Sequence, residues 1–245
     1  MKTLFFLILL IPHICLAQVV NIESDRGEAK QGVHGSSELG ISLQKGNVQV
    51  FQTQASLRLD YIKGLHHSLF IGSLAHGQED GKTFQNESYG HLRWTAMWWG
   101  KRTVGTEVFT QTQNDEFRLL QVRQLTGGGL RFTFFEDHLA IGLGAMSDYE
   151  EIDGVSKGTH ALRGTSYIRV GGEMKDRIKG QIIGYYQPVF TSPSDFRVLT
   201  TGSLEFKVDK IFSLINELNY SYDTRPPEQV VKEDLSLRVK FKIKW

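Results

Sequence analysis

The stretch Leu235 to Trp245 reads Leu-Ser-Leu-Arg-Val-Lys-Phe-Lys-Ile-Lys-Trp. Its odd-numbered positions are all apolar, and its even-numbered positions are all Ser, Arg or Lys. Because successive side chains of a β-strand point to opposite faces, the stretch predicts a strand with one apolar and one cationic face. A last strand of this pattern that ends on an aromatic residue is typical of the assembly signal of outer-membrane β-barrels. We assign that signal to Phe241, Ile243 and Trp245.

The first residues predict export. Lys2 supplies a positive charge, and the apolar run Leu4 to Ile11 is too short to cross a bilayer as a helix. We interpret residues 1–17 as a signal peptide that is cleaved after Ala17, with a lipoprotein cysteine at Cys15 as the alternative. Cys15 is the single cysteine of the sequence, so cleavage after Ala17 leaves no disulfide or thiol chemistry.

Composition narrows the function classes. The 28 basic and 27 acidic residues nearly balance, which argues against a nucleic-acid-binding protein. After the signal, no apolar run approaches the roughly 20 residues of a helical membrane span. The 25 glycines and 11% aromatic residues suit β structure. Two classes remain, a transmembrane barrel and a soluble secreted β-sandwich that acts as a binding protein.

Alternating patterns recur along most of the chain and predict an all-β fold. We expect a single antiparallel transmembrane β-barrel of about 12 strands, an even number as in other single-chain outer-membrane barrels. The expected division is a signal peptide at 1–17, an N-terminal periplasmic arm at 18–34 and the barrel at 35–245, with strand 1 at about 36–44. Tight turns are expected near residues 63, 101, 137, 176 and 210, and longer connections near residues 80, 155 and 227.

Two strands depart from a clean alternation. Strand 3, at about 66–76, is apolar on both faces, so its register stays open. Strand 6, at about 118–134, carries Gln124 and Thr126 on its apolar face. We attribute this irregularity to a β-bulge near Gly127-Gly128-Gly129.

The apolar faces carry almost no charge, as lipid requires, because a Lys or Arg at the bilayer midplane costs ~2–4 kcal/mol. Aromatic residues on these faces collect at both ends of the strands, which is typical of the aromatic girdles of a transmembrane barrel. The girdle at the tight turns comprises Tyr61, Trp98, Phe134, Phe212 and Trp245, and the girdle at the other end comprises Phe84, Tyr149, Phe190 and Tyr222.

The opposite faces carry charges of both signs, which we expect to form a network inside the barrel. Twelve tilted strands imply a backbone radius of ~12 Å and a passage of about 5–10 Å, unless residues 18–34 enter it. The network either fills and rigidifies the interior or lines a narrow polar channel. Its predicted members are Arg58, Asp60, Glu87, Arg93, Glu107, Arg123, Arg131, Arg163, Arg169, Glu173, Arg197, Glu205, Glu217 and Arg238.

Four short motifs resemble a known family. They are Val20 to Arg26, Gly35 to Leu39, Lys45 to Asn47, and the glycine-containing stretch Arg123 to Arg131. Together they resemble the YdiY-like family of salt-induced outer-membrane proteins, a domain of unknown function. The resemblance implies a stress-induced barrel in the outer membrane of a Gram-negative bacterium, and it implies no catalytic residue.

We expect no catalytic, metal or cofactor site. His34-Gly35-Ser36 has the His and Ser spacing of outer-membrane lipid hydrolases but precedes the first predicted strand. His66-His67-Ser68 is interpreted as a solvated turn, and the acidic loop from Asp148 to Asp153 lacks the spacing of a calcium loop. Expected partners are outer-membrane lipid, lipopolysaccharide and the barrel-assembly machinery, with a small solute if the lumen conducts. The expected role is a narrow passive channel for small polar solutes or an envelope-integrity protein, and lipid hydrolysis is the alternative.

Overall fold

The computed structural model describes residues 31–44, 50–99, 103–174, 177–228 and 230–245. The predicted signal peptide, the N-terminal arm up to residue 30, and the turns expected at 45–47, 101 and 176 lie outside these ranges. Within them, twelve antiparallel strands form a ring in which β1 pairs with both β2 and β12. The predicted all-β barrel of 12 strands is therefore confirmed, and the β-sandwich alternative is wrong.

The strands follow one another around the ring in chain order. They are β1 Gly32–Gln44, β2 Val50–Lys63, β3 His66–Glu79, β4 Lys82–Trp99, β5 Val104–Asp115, β6 Leu120–Phe134, β7 Leu139–Ile152, β8 Thr159–Met174, β9 Ile178–Val189, β10 Ser192–Lys207, β11 Phe212–Asp223 and β12 Glu233–Lys244. One 3-10 turn, Glu116–Arg118, lies between β5 and β6. In the described part of the chain, no helix is long and apolar enough to cross a membrane.

Side-chain exposure alternates along the strands. In β12, Leu237 is 68% exposed on the outside, whereas Lys242 is 1% exposed on the inside. The register of β3, which the sequence left open, is also resolved: Leu69 and Ile71 face inward, and Leu74 faces outward. Successive side chains of a strand point to opposite faces of the closed sheet. Because apolar and polar residues alternate along the sequence, the barrel has an apolar outside and a largely polar inside.

The predicted bulge at Gly127-Gly128-Gly129 is wrong. The pairing of β6 with β7 runs without interruption from Arg123 to Phe134. The irregularity lies at the start of β6 instead, between Leu120 and Val122. This shift turns Leu120 into the barrel, where it is buried, although its even number placed it on the outer face in the sequence pattern.

The glycines of β6 and β7 allow close packing on the inner face. A Cβ atom at Gly127 would lie 2.6 Å from the carbonyl oxygen of Ala145, and one at Gly142 would collide with the ring of Tyr167. The Tyr167 ring therefore lies against a position that has no side chain, on the strand next to its own.

Two further expectations differ from the structure. β1 begins at Gly32, so residues 32–34, which were assigned to the N-terminal arm, are part of the barrel. The connection near residue 80 is the two-residue turn Asp80-Gly81 and not a longer loop. Both residues have positive φ angles, of 48° and 79°, as a tight hairpin turn requires.

A carboxylate fixes the turn between β10 and β11, near the expected position 210. The side chain of Asp209 accepts hydrogen bonds from the backbone N–H groups of Ile211 and Phe212, each at 2.7 Å. These two donors stabilise the charged form and lower the pKa of the Asp209 carboxyl. The contact should therefore persist until the pH falls through this lowered pKa.

Trp245 joins the two ends of the ring. Its backbone N–H donates to the carbonyl oxygen of Gly35 at 2.9 Å, and its carbonyl oxygen accepts from the N–H of Gly35 at 2.8 Å. The indole lies over Gly35, where a Cβ atom would be 2.5 Å from the ring. The contact therefore depends on the absence of a side chain at position 35.

We predict that Gly142→Ala destabilises the barrel by about 1–3 kcal/mol, because the added methyl group overlaps the Tyr167 ring. The measurement is unfolding in denaturant followed by far-UV circular dichroism. Gly184→Ala is the matched control, since its Cβ atom would meet nothing closer than Thr200 at 3.7 Å. Equal effects of the two substitutions would contradict the packing role of Gly142.

Candidate functional site: the barrel interior

The fourteen predicted network residues all lie in the barrel wall. Arg123 and Arg238 are partly buried. Glu173, at the end of β8, is exposed and lies 2.5 Å from the Nζ atom of Lys207. The other eleven are buried: Arg58, Asp60, Glu87, Arg93, Glu107, Arg131, Arg163, Arg169, Arg197, Glu205 and Glu217.

Arg197 is the centre of a cluster near one end of the barrel. Its guanidinium lies 2.9 Å from Asp148, 2.6 Å from Glu150 and 2.7 Å from Asp223. Arg163 contacts the same Asp148 oxygen at 2.7 Å. Because β7 and β10 are not neighbours in the ring, Arg197 reaches across part of the interior. We call this group, together with Arg123, which pairs with Glu150, the loop-end cluster.

The loop-end cluster changes the interpretation of the acidic loop. Asp148 and Glu150 belong to β7 and face arginines inside the barrel, so the connecting loop begins only at Asp153. Asp153 accepts a hydrogen bond from the side-chain amide of Gln121 at 2.9 Å. Across the described ranges, no three His, Cys, Asp or Glu side chains converge as metal ligands.

A second set of ion pairs lies toward the other end, where β1 begins and β12 ends. Arg131 and Arg169 both approach Asp137, at 3.0 Å and 3.6 Å. Asp60 accepts two hydrogen bonds from Arg58, at 2.7 Å and 2.9 Å. A carboxylate held by both prongs of a guanidinium is the strongest common geometry for such a pair.

The sequence prediction missed the lysines of β12. Lys240 lies 2.8 Å from Glu217 and 3.5 Å from Glu38, and Lys242 lies 3.7 Å from Glu205. Both lysines are buried on the inner face. The signal was present, because they share the even positions of the last strand with the predicted Arg238.

An apolar cluster joins opposite walls of the barrel. In a ring of twelve strands, β3 and β9 are six positions apart and face each other across the lumen. Side chains of both strands nevertheless belong to one packed cluster. Its buried members are Leu69 and Ile71 of β3, Ala140 of β7, Tyr167 of β8, and Ile183 and Tyr185 of β9. We call it the central cluster, and its members come from opposite walls of the barrel.

Tyr167 connects the central cluster to the ion pairs. Its hydroxyl donates to Glu107 at 2.7 Å and accepts from Arg131 at 2.8 Å. Glu107 also lies 3.6 Å from Arg93. The polar end of the ring therefore has partners while its apolar body packs in the cluster, as is usual for a buried tyrosine.

A cavity of about 110 Å³ lies beside the central cluster. On one wall, the ring of His91 stacks between Tyr89 and Phe109, at centroid distances of 6.2 Å and 5.8 Å. Another wall is formed by the glycines of β6 and β7, and Arg93, Arg123 and Arg197 contribute charge. The space is smaller than the ~150 Å³ cavity that holds benzene in an engineered protein core. It could therefore accommodate only a few water molecules or a very small solute.

The histidine motifs have different surroundings from those expected. His67 is not in a solvated turn; it belongs to β3, and its Nε2 atom lies 2.6 Å from Asp60, while the turn is Gly64-Leu65. His34 and Ser36 lie in β1 at inner-face positions, and Ser36 is buried. A hydrolase site of the expected kind would instead face the lipid.

We predict that Arg197→Met lowers the free energy of unfolding by about 3–5 kcal/mol, because it leaves the buried Asp148 and Asp223 and the partly buried Glu150 without their shared partner. The control is Arg225→Met. Its side chain is 63% exposed and 4.0 Å from Asp195, so its loss should cost less than about 1 kcal/mol. Both are measured by urea unfolding in detergent. A loss at Arg197 no larger than at Arg225 would contradict the central role of Arg197.

Comparisons with known proteins give a family and similar folds. The family described as "Protein of unknown function, DUF481" matches residues 37–245. The comparison with curated proteins found no match.

Similar solved structures include the NanC porin, with 9% identity, a TM-score of 0.49, and coverage of 86% of this chain and 97% of that chain. The translocator domain of autotransporter NalP from Neisseria meningitidis has 7% identity, a TM-score of 0.44, and coverage of 91% and 90%. Because the family match spans most of the sequence and agrees with the resemblance of the four motifs, the chain belongs to the DUF481 family, which is YdiY-like.

Proposed function

We propose that this protein is an outer-membrane β-barrel whose lumen is closed at rest and which serves the integrity of the bacterial envelope. The observation that carries the proposal is the central cluster, in which side chains of β3 meet those of β7, β8 and β9. An open pore of this size would instead keep its opposite walls apart and its lining hydrated.

The outer surface supports a position in a membrane. Large apolar side chains are exposed around the ring, whereas soluble monomers rarely expose apolar patches beyond a few hundred Å². Except along part of the junction between β1 and β12, the ring also pairs its backbone groups between neighbouring strands, which a lipid environment requires. Exposed apolar residues on seven strands are Leu92, Leu143, Ile168, Ile182, Leu204, Leu218 and Leu237. A signal peptide at 1–17 would deliver such a barrel to the outer membrane of a Gram-negative cell, where lipid, lipopolysaccharide and the barrel-assembly machinery are its expected partners.

The aromatic residues of the outer face support the same position. Tyr61, Trp98, Phe134 and Phe212 are exposed at the strand ends near the tight turns. Phe190 is exposed at the opposite end. Aromatic side chains at both levels fit the two interfaces of a bilayer, where an apolar ring body and a polar edge are both satisfied.

The interior explains why the lumen would stay closed. Ile183 has no exposed surface and Leu69 has 1%, so the central cluster is dry. Opening it would return that apolar surface to water, at about 25 cal/mol for each Å². It would also move Tyr167 away from Glu107 and Arg131, which it bridges by hydrogen bonds.

A narrow passive channel is the second candidate function. The cavity beside the central cluster favours it, because four arginines and a stacked aromatic wall surround a space that a very small polar solute could enter. In that case, the central cluster would act as the constriction. The two candidates differ in whether the resting barrel conducts ions.

We predict that the purified protein gives no steady conductance steps in planar bilayers. Leu69→Ala combined with Ile183→Ala should produce discrete steps, because it removes apolar contacts from opposite walls of the lumen. Leu74→Ala combined with Ile182→Ala is the control, since both side chains are exposed on the outside. If the unmodified protein gave steady conductance steps equal to those of the Leu69 and Ile183 variant, the closed-barrel proposal would be wrong and the passive channel would be favoured.

The proposal contains no catalytic step. We predict that the purified protein releases no fatty acid from phospholipid vesicles above a blank, and that His34→Ala is indistinguishable from the unmodified protein. The reason is that His34 and Ser36 lie at inner-face positions of β1, away from a lipid substrate. Fatty-acid release that disappears in the His34→Ala variant would establish the hydrolase alternative.

A further inference from the structure

The junction between β1 and β12 is only partly paired. Its ladder has four residue pairs, from Ser36 with Lys244 to Leu39 with Phe241. By contrast, β1 pairs with β2 over thirteen residue pairs, and β12 pairs with β11 over eleven. Of the residues that the structure describes, 40–44 of β1 and 233–240 of β12 therefore have a ladder partner on one side only. We call this unpaired part the upper seam.

The upper seam is long enough to matter energetically. Five residues of β1 extend over about 16 Å at the usual rise of ~3.3 Å per residue. In the hydrocarbon layer, each unsatisfied backbone N–H or C=O group costs several kcal/mol. A membrane barrel would therefore keep such a seam only where polar groups of water or of a ligand reach the strand edges.

The two sides of β12 along the upper seam have opposite chemistry. Leu235, Leu237 and Val239 are exposed on the outside. On the inside lies Arg238, whose Nη1 atom is buried but has no hydrogen-bond partner among the described residues. The charge of Arg238 acts on the carboxylates of Glu87 and Glu217, and the ammonium group of the neighbouring Lys240 pairs with Glu217 and Glu38. A guanidinium with an unused donor therefore lies directly behind an apolar surface.

This arrangement complements an anionic amphiphile. Acyl chains would pack on the leucines of β12, and a phosphate group would approach the edge between the strands. Arginine suits phosphate because its planar donors match the phosphate oxygens. The ligand's oxygen atoms would also accept hydrogen bonds from the free N–H groups of the strand edges, which removes part of the cost of the open seam.

We propose that the upper seam between β1 and β12 is a lateral binding site for an anionic phospholipid, with its phosphate on Arg238 and its acyl chains on Leu235 and Leu237. The inference rests on the membrane location in the proposed function. It does not depend on whether the lumen conducts. Lipid at this site would link the bilayer to the interior of the barrel.

The first test asks whether the seam is open, by disulfide formation between pairs of introduced cysteines. Ser37→Cys with Ile243→Cys lies within the ladder and should oxidise, since directly paired residues have Cα atoms close enough for a disulfide. Ile41→Cys with Val239→Cys lies two positions above the last pair and should stay reduced in the same folded protein. The measurement is gel mobility with and without reductant. Oxidation of both pairs would overturn the proposal, because the seam would then be closed.

The second test asks what binds, by native mass spectrometry of the full exported protein with phosphatidylglycerol, phosphatidylcholine or inorganic phosphate as probes. We expect one phosphatidylglycerol to be retained, and Arg238→Gln to weaken its binding about ten-fold, as for the loss of a hydrogen bond to a charged group. Arg225→Gln, in the exposed loop before β12, is the control and should leave binding unchanged.

Each other outcome of the second test overturns the proposal. Equal retention of phosphatidylcholine would remove the role of the lipid charge, and retention of inorganic phosphate alone would replace the lipid by a free anion. A dimer that displaces phosphatidylglycerol would replace the lipid by a second copy of the chain. If the protein did not form this barrel, the Ser37 and Ile243 cysteine pair would also fail to oxidise, and if the barrel did not enter a membrane, it would not co-float with phosphatidylglycerol vesicles, so failure of the proposed function is recognised separately.

Discussion

Backbone pairing around a closed ring is the constraint on which this structure depends. Every strand has a neighbour on both sides, and the ring closes only where β1 meets β12. Closure separates the two faces of each strand into an outside and an inside, and so decides where every second side chain lies. The backbone exchange between Gly35 and Trp245 adds to the four ladder pairs and anchors the junction at its lower end.

The interior follows from the burial of charged side chains between the walls. Charges taken out of water need partners, and here arginines reach carboxylates on their own, adjacent or more distant strands. Arg197 can hold three carboxylates because its guanidinium has five donors in a fixed plane. The glycines of β6 and β7 leave room for the aromatic rings at the same level. Ion pairs thus lie toward both ends of the barrel, and the central cluster lies between them.

Alternation along a strand predicted on which face of the sheet most side chains lie. It did not predict which strands meet across the ring, because that depends on how the sheet curves. The inner face of β9, with Gln181 and Tyr185, follows directly from alternation along one strand. The apolar inner face of β3 was ambiguous because its partner is β9, six strands away, and no short stretch shows which walls will touch. The bulge was misplaced for a similar reason. The glycines of β6 are required by close contacts with the neighbouring strands, whereas the register shift lies at Leu120.

For the candidate site, the sequence likewise predicted which side chains face inward but not which of them pair. That Arg197 and Glu205 face inward could be predicted, but the pairing of Arg197 with Asp148, 49 positions apart, could not. Asp137 was missed because it lies in a turn, where alternation has no meaning, although its carboxylate turns back toward Arg131. The inward position of Lys240 and Lys242 could also be predicted, because alternation along β12 places both on the same face as Arg238.

The contact of Trp245 with Gly35 has a practical consequence for handling the protein. A purification tag fused after Trp245 would place a flexible charged peptide beside the hydrogen bonds that join the ring ends. An affinity sequence is better inserted at Gly154, in the solvent-exposed connection between β7 and β8, where the backbone has no strand partner to lose. Fluorescent labels for following insertion into vesicles are best attached at the same connection.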